Sequence, residues 1–244
     1  MAKNAIFVFV CLLVSTNVIC RQKTKIYCFP GQGSDARIFD SIRVDTAFFE
    51  LAFIEYETPE KWMDLKDFAY SLINDIDTMN RYVLLGVSLG GMICAELNER
   101  LNPWKTILIS SAKNWNELPF RYRFQKTIPL YRLFPKGLLL AGSKIMQPLV
   151  EPDRKNNKET FKDMLNKKNA TYMKRTIHLI ITWKRTENIK NTYHIHGDRD
   201  HTLPIRRIKN PDIIVENGSH MMTLTRGCEI SCILNQILAT NYTN

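Results

Sequence analysis

The sequence has no C-x-x-C pair, so it lacks the closely spaced thiolates that a zinc site uses. Six cysteines are present, and two of them, Cys11 and Cys20, fall within the first 20 residues. Of the other four, Cys228 and Cys232 stand one helical turn apart, where side chains point the same way and a disulfide is poorly formed. Cys28, in a strand-like apolar run, and Cys94, in a helical run, read as buried packing residues. Acidic residues are also short: 24 Asp and Glu stand against 34 Lys and Arg, a net charge of +10. That shortage is local. From Lys113 to Lys190 there are 18 basic and 6 acidic residues, against 16 and 18 in the remainder. The apolar run Ala5–Val14 is too short to span a bilayer comfortably. With Lys3 before it and Ser15-Thr16-Asn17 after it, Met1–Cys20 reads as a secretory signal, cleaved after Cys20. Lipidation at Cys20 and an uncleaved anchor are the alternatives at the same place. The expected location is therefore outside the cytoplasm: secreted, periplasmic or anchored through Cys20.

What remains is an ordinary globular composition, with 45% hydrophobic and 24% charged residues over 244 positions. That length buries a full core as one domain, 21–244, with room for an insertion. The chain is organised around Gly86-Val87-Ser88-Leu89-Gly90-Gly91. An apolar run, Tyr82–Leu85, leads in, and apolar positions at helical spacing (Met92, Ile93, Ala95, Leu97, Leu101) lead out. Strand, Gly-rich turn and helix with one serine at the bend is the context of a nucleophile elbow. Gly86 and Gly90 allow strand and helix to approach closely. The Leu89 N–H then lies at a helix N-terminus, where it can donate to an oxyanion.

Two later stretches complete a set. Thr192–His196 is a short strand pattern that runs into Gly197-Asp198-Arg199-Asp200-His201-Thr202-Leu203-Pro204. Ile213-Ile214-Val215 is another, followed by Glu216-Asn217-Gly218-Ser219-His220. The order serine, carboxylate, histidine, with the last two on loops after successive strands, is the order of an α/β-hydrolase sheet. On FPGQGSDARIF (29–39), GVSLGG (86–91), HGDRDHTLP (196–204) and NGSH (217–220), the sequence resembles the α/β-hydrolase family over residues 24–240. The resemblance implies an α/β fold: a mostly parallel sheet flanked by helices, with a helical lid inserted at about 113–190. The lid range is the basic segment, in which 116–188 holds no convincing strand. Phe120–Lys126, Tyr131–Phe134, Thr160–Leu165 and Thr171–Thr186 are its helix candidates. Ile177, Ile180, Ile181 and Trp183 point either into a pocket or onto the sheet.

Along the rest of the chain, strands are expected at Thr24–Phe29, Phe48–Tyr56, Tyr82–Val87, Trp104–Ser110, Thr192–His196 and Ile213–Val215. Helices are expected at Ala36–Val44, Leu65–Ile76 and, as one long element, Met221–Leu238. The family's two leading antiparallel strands are expected to be absent.

Ser88 needs a base, and His220 alone among five histidines follows the last strand pattern on a loop. His178, alone in the lid, reads as structural. His220 in turn needs a carboxylate to fix its tautomer, from Asp200 or Asp198. The family register, with His196-Gly197 and Leu203-Pro204 as brackets, selects Asp200 and leaves Asp198 to turn the chain. By resemblance the second oxyanion donor is the Gln32 N–H, with Gly33 as the substitute. Phe29-Pro30 stands where the family begins His-Gly, so that histidine's hydrogen bonds are missing here. The implied chemistry is ester hydrolysis through an acyl-enzyme, with no cofactor and no metal. The expected partner is a small acyl substrate, not nucleic acid; the basic lid allows peripheral contact with an anionic membrane surface. Three rival readings compete with this one. Gly31-Gln32-Gly33-Ser34-Asp35-Ala36 fits a dinucleotide-binding turn, with Glu55 or Glu57 for a ribose. His194-Ile195-His196-Gly197-Asp198 resembles the start of a metallo-β-lactamase motif, but Arg199 occupies the next ligand position. A fold that only binds would have no need of all three side chains.

Overall fold

The computed structural model describes residues 22–133, 135, 137–138, 141–142 and 157–240. Met1–Cys20 and part of the Tyr131–Phe134 candidate lie outside them. The described elements are β1 (Thr24–Phe29), β2 (Phe49–Phe53), α1 (Leu65–Ser71), β3 (Tyr82–Val87) and α2 (Leu89–Leu101). There follow β4 (Lys105–Ile109), α3 (Phe120–Thr127), α4 (Lys158–Asn166) and α5 (Ala170–Thr182). The chain closes with β5 (Thr192–Gly197), β6 (Ile213–Val215), α6 (Met222–Thr225) and α7 (Gly227–Ala239). Six strands form one sheet in the order β2-β1-β3-β4-β5-β6, and every pairing among them is parallel.

All six residues of β3 and all five of β4 are buried, as expected of central parallel strands covered on both faces. Alternation sends their side chains to two cores. Tyr27, Phe29, Leu84 and Leu108 pack with α1, α2 and the end of α5. Ile26, Cys28, Val83, Leu85, Ile107 and Ile109 pack with α4, α6 and α7. Helix α1 starts on a capping box in which Asp64 and Asp67 exchange side-chain-to-backbone hydrogen bonds.

Several expectations are corrected. The C-terminal helix is two helices, broken at Arg226. Gly227 passes so close to Ser41 that a Cβ there would fall 2.2 Å from the serine's own Cβ. The run Ala36–Val44 is helical only as one 3-10 turn, Ala36–Phe39, and Leu65–Ile76 is α1 followed by the 3-10 turn Ile73–Asp75. Trp183 serves packing: its indole N–H donates to Glu96 Oε1 at 2.8 Å, and its ring joins the core over α2 with Leu179 and Ile180. Between β4 and β5 the described residues hold helices and turns and no strand.

Glu96 is the fastening point of α5. Its buried carboxylate accepts from the Trp183 indole and from Arg185 Nε at 3.0 Å. Truncating one partner of such a pair leaves the other charge buried and uncompensated, which costs about 3–5 kcal/mol. Glu96→Ala is therefore expected to lose on the order of 3 kcal/mol in urea unfolding; a loss under about 1 kcal/mol would mean that Arg185 is held sufficiently by Glu99.

Strand β5 carries two buried histidines, His194 and His196, with rings 5.3 Å apart. Burial pushes the pKa of His194 well below the ordinary value, helped by His196 and Lys113 nearby; burial also lowers His196, against the pull of Asp200. Both are therefore harder to protonate in the folded chain than in the unfolded one, where a histidine takes a proton near pH 6.5. Above that pH they contribute no slope. Below it the unfolded chain binds protons that the folded sites refuse, so stability falls by up to about 1.4 kcal/mol per pH unit for each. Unfolding free energy measured from pH 7 to 5.5 should fall accordingly, and His194→Gln should flatten the slope by about one proton. An unchanged slope in that variant would assign the acid sensitivity to other groups.

Candidate functional site

The site lies at the C-terminal ends of β1, β3, β5 and β6. Ser88 is the single residue between β3 and α2, at φ 54° and ψ −119°. Such a conformation costs a residue with a side chain on the order of 1–3 kcal/mol. It persists because its surroundings leave no alternative. Gly90 touches the end of β1 so closely that a Cβ would fall 2.0 Å from the Phe29 carbonyl oxygen, and one on Gly86 would fall 2.4 Å from that of Gly90. Across the sheet the Ser111 hydroxyl donates to the Ser88 carbonyl at 2.6 Å. The Ser88 side chain is thereby lifted clear of the strand and remains partly exposed.

His220 and Asp200 arrive on two loops that are zipped together. Asp198 N donates to Val215 O, and Arg199 N donates to Gly218 O at 3.0 Å. Gly197 and Gly218 are in backbone contact, with 2.1 Å from an added Cβ on Gly197 to the Gly218 oxygen. His220 Nε2 lies 2.8 Å from Ser88 Oγ, and His220 Nδ1 lies 2.7 Å from Asp200 Oδ2. A carboxylate accepts only, so Nδ1 carries the proton and Nε2 is free to accept from the serine hydroxyl. Asp200 and His220 are buried.

Asp200 also does the turning that the sequence assigns to Asp198. Its Oδ1 accepts from the N–H groups of Thr202 and Leu203, at 2.8 and 2.7 Å. Asp198 is exposed, and among the described residues no ion pair to Arg199 or Arg206 holds its side chain. Behind Asp200, His196 Nε2 lies 2.8 Å from the Leu203 carbonyl oxygen and bonds the loop to β5.

The loop after β1 comes next to Ser88: a Cβ on Gly31 would lie 3.1 Å from the serine Cβ. The N–H groups of Gln32 and Leu89 donate to no acceptor among the described residues. Three contacts that no sequence spacing announces hold this loop. The Tyr56 hydroxyl donates to Pro30 O at 3.0 Å, the Ser34 hydroxyl to Gly31 O at 2.9 Å, and Gln32 Nε2 to Thr176 Oγ1 on α5 at 2.9 Å. The dinucleotide reading of this loop is disfavoured physically. The loop leads into a four-residue 3-10 turn capped by the Asp35 carboxylate, which would repel a pyrophosphate. His178 meets the Tyr131 hydroxyl.

No protein-family model and no curated sequence matches the chain. Solved structures do. An enol-lactonase from Burkholderia xenovorans LB400 is 13% identical, with TM-score 0.67 over 89% of this chain and 92% of that one. A thermophilic esterase from Thermogutta terrifontis is 14% identical, with TM-score 0.65 over 89% and 90%. Est816, an N-acyl homoserine lactone degrading enzyme, is 17% identical, with TM-score 0.61 over 88% and 93%. At these identities the likeness is one of fold, and with the parallel sheet and the bend at Ser88 it shows that the chain has the α/β-hydrolase fold.

Proposed function

We propose that this protein is a serine hydrolase that cleaves a carboxylic ester through an acyl-enzyme. The observation that carries the reading is the unbroken chain Ser88 Oγ, His220, Asp200, with 2.8 and 2.7 Å links on a strained elbow. Ser88 Oγ attacks the carbonyl carbon while its proton passes to His220 Nε2. Asp200 holds the tautomer and stabilises the imidazolium. The tetrahedral oxyanion accepts from the N–H groups of Leu89 and Gln32, both unspent in the ground state. Collapse breaks the bond to the alkoxy oxygen, which takes the proton back from His220 and leaves as the alcohol. Water, deprotonated by His220, then attacks the acyl-enzyme, and the carboxylic acid is released as Ser88 recovers its proton. The enol-lactonase and the esterase among its structural neighbours act on chemistry of this class, a lactone being a cyclic ester. The substrate is a small acyl compound, and neither metal nor cofactor enters any step.

A fluorophosphonate probe tests the nucleophile. Ser88 is expected to be labelled, and Ser88→Ala to lose both labelling and turnover of short p-nitrophenyl esters. Labelling that survives the substitution would place the reaction on another serine.

The two aspartates separate by kinetics. Asp200→Asn should lower kcat by about 10⁴ in a folded protein, because His220 loses its tautomer. Asp198→Asn, at an exposed position, should stay within about 0.5 kcal/mol of the parent in stability and near it in turnover. The opposite ranking of kcat would reassign the carboxylate.

A further inference from the structure

Of the ten large apolar side chains that stand exposed among the described residues, six lie between Phe120 and Leu138. Phe120 is 66% exposed and Leu133 is 80% exposed, with Phe124, Ile128 and Leu130 between them. Phe120 and Phe124 are four residues apart on one face of α3, with ring centroids at 5.6 Å. The opposite face sends Tyr122 toward the core over α2. An apolar face so exposed on a packed helix marks a contact surface.

Charge says what kind of surface meets it. Arg121, Lys126 and Arg132 are exposed among these apolar side chains. From Leu118 to Val150 the sequence carries six Lys and Arg and no acidic residue. A second copy of the chain would bring cations against cations. A layer with anionic headgroups over an apolar interior satisfies both features, since the cations meet phosphates while the aromatic and aliphatic side chains enter the acyl boundary. The patch is also fixed to the rim of the site: the Arg121 guanidinium donates to the Thr202 carbonyl in the Asp200 loop, and Lys126 Nζ donates to Trp183 O.

We propose that the surface from Phe120 to Leu133 docks the protein on an anionic lipid membrane. The inference goes beyond the hydrolase reading and does not depend on Ser88.

Co-sedimentation with lipid vesicles tests it, using the full chain with Ser88→Ala so that no lipid is consumed. Partitioning onto phosphatidylcholine vesicles containing phosphatidylglycerol should exceed that onto phosphatidylcholine alone by roughly a hundredfold at low salt, from three exposed cations. The preference should shrink as salt is raised. Adding Phe120→Ser, Phe124→Ser and Leu133→Ser should weaken binding to the anionic vesicles at least about tenfold. Because Met1–Cys20 is present in both chains, the difference between them reports on the patch. Should the triple variant fail to fold, Lys126→Gln with Arg132→Gln keeps the apolar face and should lose the anionic preference. Equal partitioning onto the two vesicles, or binding untouched by either set of substitutions, would overturn the proposal. So would a dimer that the triple variant dissociates, since a second copy would then be the occupant. Retention of fluorophosphonate labelling in the triple variant on the Ser88 background keeps this result separate from the hydrolase reading.

Discussion

Ser88 sits at φ 54° because Gly86, Gly90 and the end of β1 leave the backbone no other course. The cost, on the order of 1–3 kcal/mol, is set against the close packing of β3 on α2, which any larger residue at either glycine would break. The same contact brings Phe29 and Pro30 against the helix, so the loop carrying Gln32 is placed by the elbow itself. Ser111, from the next strand, clamps the Ser88 carbonyl. The position of the proposed nucleophile and the Leu89 N–H are thus consequences of one steric constraint, and the loop carrying Gln32 sets out from the same contact.

The proposed acid–base pair, His220 and Asp200, is arranged by backbone contact of another kind. The loops after β5 and β6 share hydrogen bonds and touch at Gly197 and Gly218. Asp200 uses one oxygen to hold its own loop and the other to hold His220. A carboxylate committed in both directions is fixed in angle as well as distance, which is what an imidazole of defined tautomer requires. It also explains why Asp198 is dispensable to the turn.

What the sequence disclosed was local. Thr24–Phe29, Tyr82–Val87 and Ile213–Val215 match the described strands end to end, because a buried parallel strand is written as an apolar run with polar or Gly-rich ends. That Ser88, Asp200 and His220 stand on the turn and loops after β3, β5 and β6 was readable because each follows a strand pattern with its own signature. Tyr56, Ser111 and Thr176 were not. Each acts through one hydrogen bond to a residue remote in sequence, and Tyr, Ser and Thr are common enough that no spacing marks them. The break at Arg226 was hidden for a similar reason: Met221–Leu238 keeps helical periodicity, and the close approach of Gly227 to Ser41 is a contact with a residue remote in sequence. Trp183 read equally well as pocket or core until Glu96 was seen to bind its indole.

Helix α5 has two attachments of unequal kind. At its C-terminal end Trp183 and Arg185 are held by the buried Glu96 carboxylate, a bond into the core. In its middle, Thr176 accepts from Gln32, a bond into the loop beside Ser88, while the Thr176 hydroxyl donates to the backbone of its own helix. A helix is stiff along its axis, so a fastening at one end fixes the height of the acceptor in its middle. The Gln32 side chain is therefore positioned by the core of the protein through α5 rather than by its own loop, whose glycines would otherwise leave it free. Holding the Gln32 side chain in this way adds to the preorganisation on which the proposed stabilisation of an oxyanion by the Gln32 N–H depends.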